Sequence, residues 1–453
     1  MISTKLDHLS WGAIIKIAVT VNLFVALNIT ALYYIFPFSK GTSYAPFIVR
    51  ASDEIVIVGS FLTFLLYFTF RSDLSSIRKL FLNRLDVQLV ALLYFLWILI
   101  AAILASSSST LPLAYQMAKS FLLPSWLCFL ILAQRDRDLT SLLRTCAIIF
   151  MGSVFFQVAF SVFLSEVMPS LALWSDDPYV GYVPFTGFLL NPNRFGFALN
   201  LALAISLALL WFVKSTGTRV ALSLIAIFLN IATIRTGSLS QVLISFGLLA
   251  YFVLLVGFNR GWVALIGVLV LASCAGQIAL FPAPFGDTIH NTLVADLVCG
   301  SKVVGYPESC AFHSDSITTR LLDLEKVKKV LEEPRVVNLL FGKLPERHYI
   351  HAHGDFWFVF LQAGLLGLFC LVIPLASIGL LSLRQFFKNQ EIQYQSCFLA
   401  IHLMLACFAA TFLVDNVIFD APTGLLFSLC LSIGFAIWHF RSGERGGFRL
   451  EEA

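Results

Sequence analysis

The sequence predicts an all-α integral membrane protein of about twelve transmembrane helices, with one large loop between helices nine and ten. Three observations carry that expectation. Of 453 residues, 59% are hydrophobic and 12% charged, with a mean hydropathy of +0.88, where an ordinary soluble domain is about 45–50% apolar and about 25% charged. The apolar residues, 44 Phe and 8 Trp among them, fall into runs close to the length of about 20 that crosses a bilayer as a helix. The basic residues fall between those runs in alternation, dense on one face and sparse on the other. This composition excludes a cytosolic enzyme, a nucleic-acid-binding domain and a secreted disulfide scaffold.

The apolar runs lie near residues 11–36, 55–70, 87–105, 115–134, 145–167, 195–213, 220–234, 239–257, 262–282, 355–379, 396–415 and 423–440. The first is too long for a signal peptide and lacks a small-residue cleavage site, so it reads as a retained signal anchor. Lys119 and Pro124 fall inside the fourth. After the even-numbered runs come Arg71, Arg78, Lys79 and Arg84, then Arg135, Arg137 and Arg144, then Lys214 and Arg219, then Arg260, then Arg384 and Lys388, and last Arg441, Arg445 and Arg449. With Lys5 these make sixteen cations on one face, against Lys40, Arg50, Arg194 and Arg235 in the opposite short connections. The positive-inside rule places the sixteen, and with them both termini, in the cytoplasm. The net charge of +4 carries no such information by itself. The expected organisation is helices one to nine over 1–282, a non-cytoplasmic loop over 283–354, helices ten to twelve over 355–440 and a cytoplasmic tail over 441–453.

The loop is polar and holds five of the eight histidines: His290, His313, His348, His351 and His353. It also holds Cys299 and Cys310, while the other seven cysteines sit in apolar runs and read as small hydrophobes. In an oxidising compartment a Cys299–Cys310 bridge and two reduced thiols both fit the sequence. Residues 316–333 have a helical apolar rhythm of Leu321, Leu324, Val327, Val330 and Leu331, stopped by Pro334. That pattern fits an amphipathic helix lying on the membrane or against the loop. No Gly-rich phosphate loop, paired metal-binding cysteines or repeat of fixed period is present.

Charge at membrane depth is the filter for chemistry, because an Arg at the middle of a lipid-facing helix costs about 2.5–3.5 kcal/mol on insertion scales. Arg194 opens the sixth run within GFLLNPNRFG, Arg235 lies in the very short seventh-to-eighth connection, and Arg320 and Arg347 lie in the loop. Arginine captures phosphate oxygens in a planar, bidentate way, so two or three converging at the outer face would make a diphosphate site. Plainer readings stand beside this one: Arg194 snorkelling at a helix end, Arg235 anchoring at the interface, and Arg320 and Arg347 as solvated loop charges. His348, His351, His353 and Asp355 are Zn²⁺ ligands by type. However, the spacing of His351 and His353 suits extended chain, and no distant cluster completes a site, so no metal or other cofactor is expected. As a general base one histidine suffices, since an imidazole with a pKa of about 6.5 takes a proton at neutral pH.

The stretch HAHGDFWFVFLQAGLLGL, His351 to Leu368, resembles the signature of the O-antigen ligase and O-antigen polymerase superfamily. There a His ending the large loop precedes an apolar helix with a Gly about eleven residues on and another three later; His353, Gly364 and Gly367 have that spacing. Gly187, Asn191, Pro192, Asn193 and Gly196 are similar to an earlier Gly and Asn-Pro-Asn motif. SITTRLLDL, with Arg320, resembles the family's loop arginine, and LLFGKLPE around Gly342 resembles its glycine turn. The motifs run in order from Gly187 to Gly367. Two positions depart: Ser238-Leu239 stands where Ser-Arg is frequent, with Arg235 three residues before Ser238, and Gly354 stands where Asn is frequent.

The resemblance implies a fold like that of C-type membrane glycosyltransferases in the bacterial inner membrane. The activity it implies is metal-independent, inverting glycosyl transfer at the periplasmic face, in lipopolysaccharide or other polysaccharide biosynthesis. The donor would be an undecaprenyl-diphosphate-linked glycan, with its tail in a lipid-facing groove between helices. The acceptor would be a lipid A-core sugar for a ligase or a lipid-linked repeat unit for a polymerase. In the mechanism that fits, His353, or His351 beside it, deprotonates the acceptor hydroxyl while Arg194, Arg235, Arg320 and, as a further candidate, Arg347 stabilise the departing diphosphate. Asn191, Asn193, Gly364 and Gly367 serve as structural motif positions. Activation is already stored in the lipid diphosphate, which accounts for the missing phosphate loop. The alternatives are a transporter or flippase of lipid-linked glycans and a non-enzymatic scaffold; the absence of related halves argues against transport.

Overall fold

A computed structural model describes residues 11–28, 136–169, 183–256, 260–280, 325–329, 331–332, 336–342, 354–388 and 392–415, together with Ala31, Val58 and Leu426. The regular structure among the described residues is helical: α1 (Trp11–Asn28), α2 (Asp136–Glu166), a 3₁₀ turn (Gly187–Leu189), α3 (Pro192–Phe212), α4 (Thr216–Arg235), α5 (Leu239–Val256), α6 (Arg260–Leu280), α7 (Val336–Phe341), α8 (Asp355–Lys388) and α9 (Ile392–Val414). Among the described residues five helices are long and apolar enough to cross a membrane: Arg144–Glu166, Pro192–Phe212, Thr216–Arg235, Ala363–Lys388 and Gln395–Val414. The described residues are therefore all-helical, with several apolar helices of membrane-spanning length, as in a multi-pass membrane protein. The expected spans at 55–70, 87–105, 115–134 and 423–440 lie outside the described residues, apart from Val58 and Leu426.

Exposure follows a lipid-facing pattern. On α4, Val220, Leu224 and Phe228 are exposed at four-residue steps, a single stripe on one helix face. The central helix is α3, which packs against α2, α4, α5 and α9. In its most apolar window 78% of residues are buried, against 33% for α4. Small residues let the neighbours close in: a Cβ on Gly196 would lie 2.8 Å from Gln241 Cβ on α5. Two buried amides pair across helices, Asn200 Nδ2 donating to Gln241 Oε1 at 3.0 Å and Asn230 Nδ2 to Ser245 Oγ at 2.7 Å.

The tenth span differs from its expected form. Instead of one helix over 355–379, α8 continues to Lys388 and is broken at Gly364, whose φ of 63° and ψ of −158° are not helical. Asp355–Ala363 is thus a separate half-helix, and the membrane-length part runs on from the break to Lys388. Antiparallel α8 and α9 are tied where His402 Nδ1 meets the Gly379 carbonyl at 2.9 Å, and His402 Nε2 meets Tyr251 Oη of α5 at 2.6 Å. A carbonyl only accepts, so Nδ1 carries a proton and donates it to Gly379.

Candidate functional site

Glu166, Pro192, Arg235, Leu239 and Val414 are helix ends at one end of the bundle, opposite Arg144, Arg384 and Lys388. The site is built there. Gly187 opens the 3₁₀ turn with φ 52°, and a Cβ on it would lie 2.6 Å from Gln157 Oε1. Its N–H donates to Ser161 Oγ, and that of Phe188 to Gln157 Oε1, both at 3.1 Å. Leu190, left-handed at φ 57°, then turns the chain into Asn191. The extended Asn191 is the N-cap of α3: its Oδ1 accepts from the N–H of Asn193 at 2.8 Å and of Arg194 at 3.3 Å. Pro192 takes the first helical position, where its missing N–H costs nothing. The Asn-Pro-Asn string is therefore a helix start, with Asn193 entering through its backbone. Asn191→Ala is expected to destabilise the fold by about 1 kcal/mol, read as a lower unfolding midpoint in detergent, whereas Asn191→Asp keeps the acceptor and the midpoint.

Arg194 is half-buried in the first turn of α3. This is the positive end of the helix dipole, where a cation is disfavoured by about 0.3–1 kcal/mol and an anion favoured. Arg235 occupies the opposite electrostatic position, the last turn of α4. Its side chain is only 5% exposed, and Nη2 lies 3.4 Å from Glu166 Oε1 at the end of α2. The guanidinium carbon stands 5.2 Å from the centre of the Phe185 ring, a cation–π distance. The Arg235 carbonyl accepts from the Phe185 N–H at 3.0 Å. The turn into α5 is closed by Gly237 at φ 72° and by Thr236 Oγ1, which accepts from the Ser238 N–H at 3.2 Å. A Cβ on Gly196 would lie 3.3 Å from Thr236 Oγ1. The start of α3, carrying Arg194, is thereby packed on the turn that follows Arg235.

Two glycines set the ends of the loop's last segment. Gly354, at φ 108°, is buried against α9, and a Cβ on it would lie 3.0 Å from the Leu413 carbonyl oxygen. Gly342, at φ 61°, ends α7 with its N–H donating to Asn338 O at 2.7 Å. A Cβ on Gly364 would fall 2.5 Å from the Leu340 carbonyl and 2.6 Å from Gly342 N. Gly342 and Gly354, the two ends, are thus both held at this end of the bundle. Between them, residues 343–353 lie outside the described residues, and with them Arg347, His348, His351 and His353; so do Arg320, Cys299 and Cys310. Gly367, by contrast with Gly364, is an ordinary buried residue of α8.

A groove of about 440 Å³ runs between α5 and α9, lined by Ser240, Leu243, Ile244, Gly247, Leu248, Tyr251, Ala406, Ala410 and Val414. From Ser240, five residues after Arg235, to Tyr251 it spans about 16 Å of helix. Its walls are apolar apart from the serine at one end and the tyrosine at the other. Sequence reasoning passed over several residues that shape this end: Glu166, Gln157, Ser161 and the Tyr251–His402 pair. Their signal was available, since an isolated amide, carboxylate or histidine in an apolar run is costly and calls for a partner. No protein-family model matches the chain, and no curated protein matches it.

Proposed function

We propose that the chain transfers a glycan from an undecaprenyl-diphosphate donor to an acceptor sugar hydroxyl, at the membrane face that carries Arg194 and Arg235. The observation that carries the reading is the placement of a deeply buried arginine, Arg235, and a second at a helix N-terminus, Arg194, at the end of the bundle where an apolar groove opens. Arginine with a helix N-terminus suits an anion, and the groove suits its hydrocarbon tail. A diphosphate oxygen takes Arg235 by replacing the exposed Glu166 carboxylate. The acceptor oxygen then attacks the anomeric carbon and forms the new glycosidic bond. The bond to the diphosphate breaks with its electron pair passing to the phosphate oxygen, and His353 receives the hydroxyl proton.

The broken helix at Gly364 is the one observation that favours the transporter alternative, since discontinuous helices hold substrate in many transporters. Those breaks lie near the bilayer midplane, whereas Gly364 is twenty residues, about 30 Å of helix, from Arg384 and so at the membrane edge. The test is gene deletion followed by gel analysis of lipopolysaccharide. Loss of capped chains with accumulation of lipid-linked polymer identifies a ligase, and single-repeat capping a polymerase. Unchanged lipopolysaccharide with lost exopolysaccharide identifies a polymerase of another pathway. Repeat units trapped on the cytoplasmic face would overturn the proposal in favour of a flippase.

A further inference from the structure

The short helix α7 has its polarity reversed. Asn338 is buried against the bundle and Leu339 packs half-buried on the core. Val336, Val337, Leu340 and Phe341 are exposed, at 67%, 54%, 41% and 38%. A helix in water shows the opposite arrangement, and four large apolar side chains on six residues form an exposed patch that calls for a partner. The position of α7 says which. It packs on α8 at the Gly364 break, with the Leu340 carbonyl and the Gly342 nitrogen in contact with that glycine. From Gly364 to Arg384 the span rises about 30 Å, the thickness of the bilayer's hydrocarbon core. With Arg384 at one boundary, Gly364 and the helix resting on it stand at the other. The exposed Phe369, Val372 and Ile373 of the span begin within two turns of that contact, so the apolar surface of α7 continues the surface that lipid already covers.

We propose that α7 is an interfacial helix whose Val336, Val337, Leu340 and Phe341 side chains insert among lipid acyl chains, in the leaflet opposite Arg384 and Lys388. The helix ties the loop to the membrane plane through the Gly342–Gly364 contact. Asn338 and Gly342 face the protein, and the apolar side chains face lipid, as in helices that lie in the interface. This inference is independent of the transferase reading, since it uses only depth, burial and polarity.

The experiment places a photoreactive benzoylphenylalanine at Val337 or at Phe341 in the full-length protein, reconstituted in phosphatidylethanolamine and phosphatidylglycerol vesicles. Controls carry it at Leu380, exposed on the membrane span, and at Lys328, exposed on the loop. After irradiation, mass spectrometry is expected to find lipid adducts at Val337 and Phe341 within about twofold of the yield at Leu380 and well above that at Lys328. A lipid yield no higher than at Lys328 would overturn the proposal. So would a covalent dimer or an adduct within the chain, which would assign the patch to a second copy or to the protein's own loop. Using two positions keeps the test decisive if one substitution disturbs packing.

Discussion

Replacing His353 with alanine is expected to abolish transfer while leaving the protein in the membrane at its normal level. The proposed reaction needs a proton removed from the acceptor hydroxyl as the new bond forms, and a positioned base contributes about 10²- to 10⁴-fold. His353 precedes Gly354 directly. Gly354 holds a left-handed φ of 108°, and a Cβ on it would lie 3.0 Å from the Leu413 carbonyl oxygen, so the chain leaving the histidine is held close to the end of α9. Transfer from a purified lipid-linked donor, measured beside an immunoblot of membrane fractions, separates chemistry from folding. His351→Ala should reduce activity less. The reverse ranking would move the base to His351, and full activity in His353→Ala would remove the catalytic assignment altogether.

Gly364→Ala is expected to be the most damaging single-methyl change among the described residues. With φ 63° and ψ −158°, Gly364 occupies a region open essentially to glycine, and another residue there costs about 1–3 kcal/mol. The added carbon would also meet the Leu340 carbonyl and the Gly342 nitrogen at 2.5–2.6 Å, backbone atoms that cannot rotate away. Either α7 leaves the bundle or the half-helix straightens. The control is Gly379→Ala, in the same helix with nothing within 4 Å of its Cβ position, which should be neutral or stabilising by up to about 1 kcal/mol. Unfolding midpoints and monodisperse yield in detergent compare the two; equal behaviour would mean the break at Gly364 is not needed for the fold.

The contrast between these glycines shows what the sequence did and did not make legible. Helix existence was local and readable: the expected 220–234 and 239–257 are found as Thr216–Arg235 and Leu239–Val256, separated by a turn that Gly237 closes. The break in α8 was not readable, because DFWFVFLQAGLLGL is as apolar after Gly364 as before it. What interrupts the helix is a contact with Leu340, far back in the loop, and hydrophobic periodicity carries no information about such contacts. The same holds for Arg235. Its position at a span end was visible, but its ion pair with Glu166 joins residues 69 apart in sequence. Asn191, in contrast, acts through its nearest neighbours, which is why a helix cap lies behind the Asn-Pro-Asn string.

The enclosure of α3 bears on how the protein is made. Its mean hydropathy of 2.1 exceeds the 1.7 of α4, although α4 keeps a stripe on lipid and α3 is walled in by other helices. Its final surroundings do not require that apolarity. Entry into the bilayer does, because α3 emerges from the ribosome before α4, α5 and the distant α9, and must be stable in lipid until they arrive. Asn200 sharpens the timing: its amide partner Gln241 sits on α5, so the side chain is unsatisfied until two more helices have been inserted. It follows that α3 enters on its own apolarity and gains its buried polar contact only when α5 arrives, with α9 closing over it later.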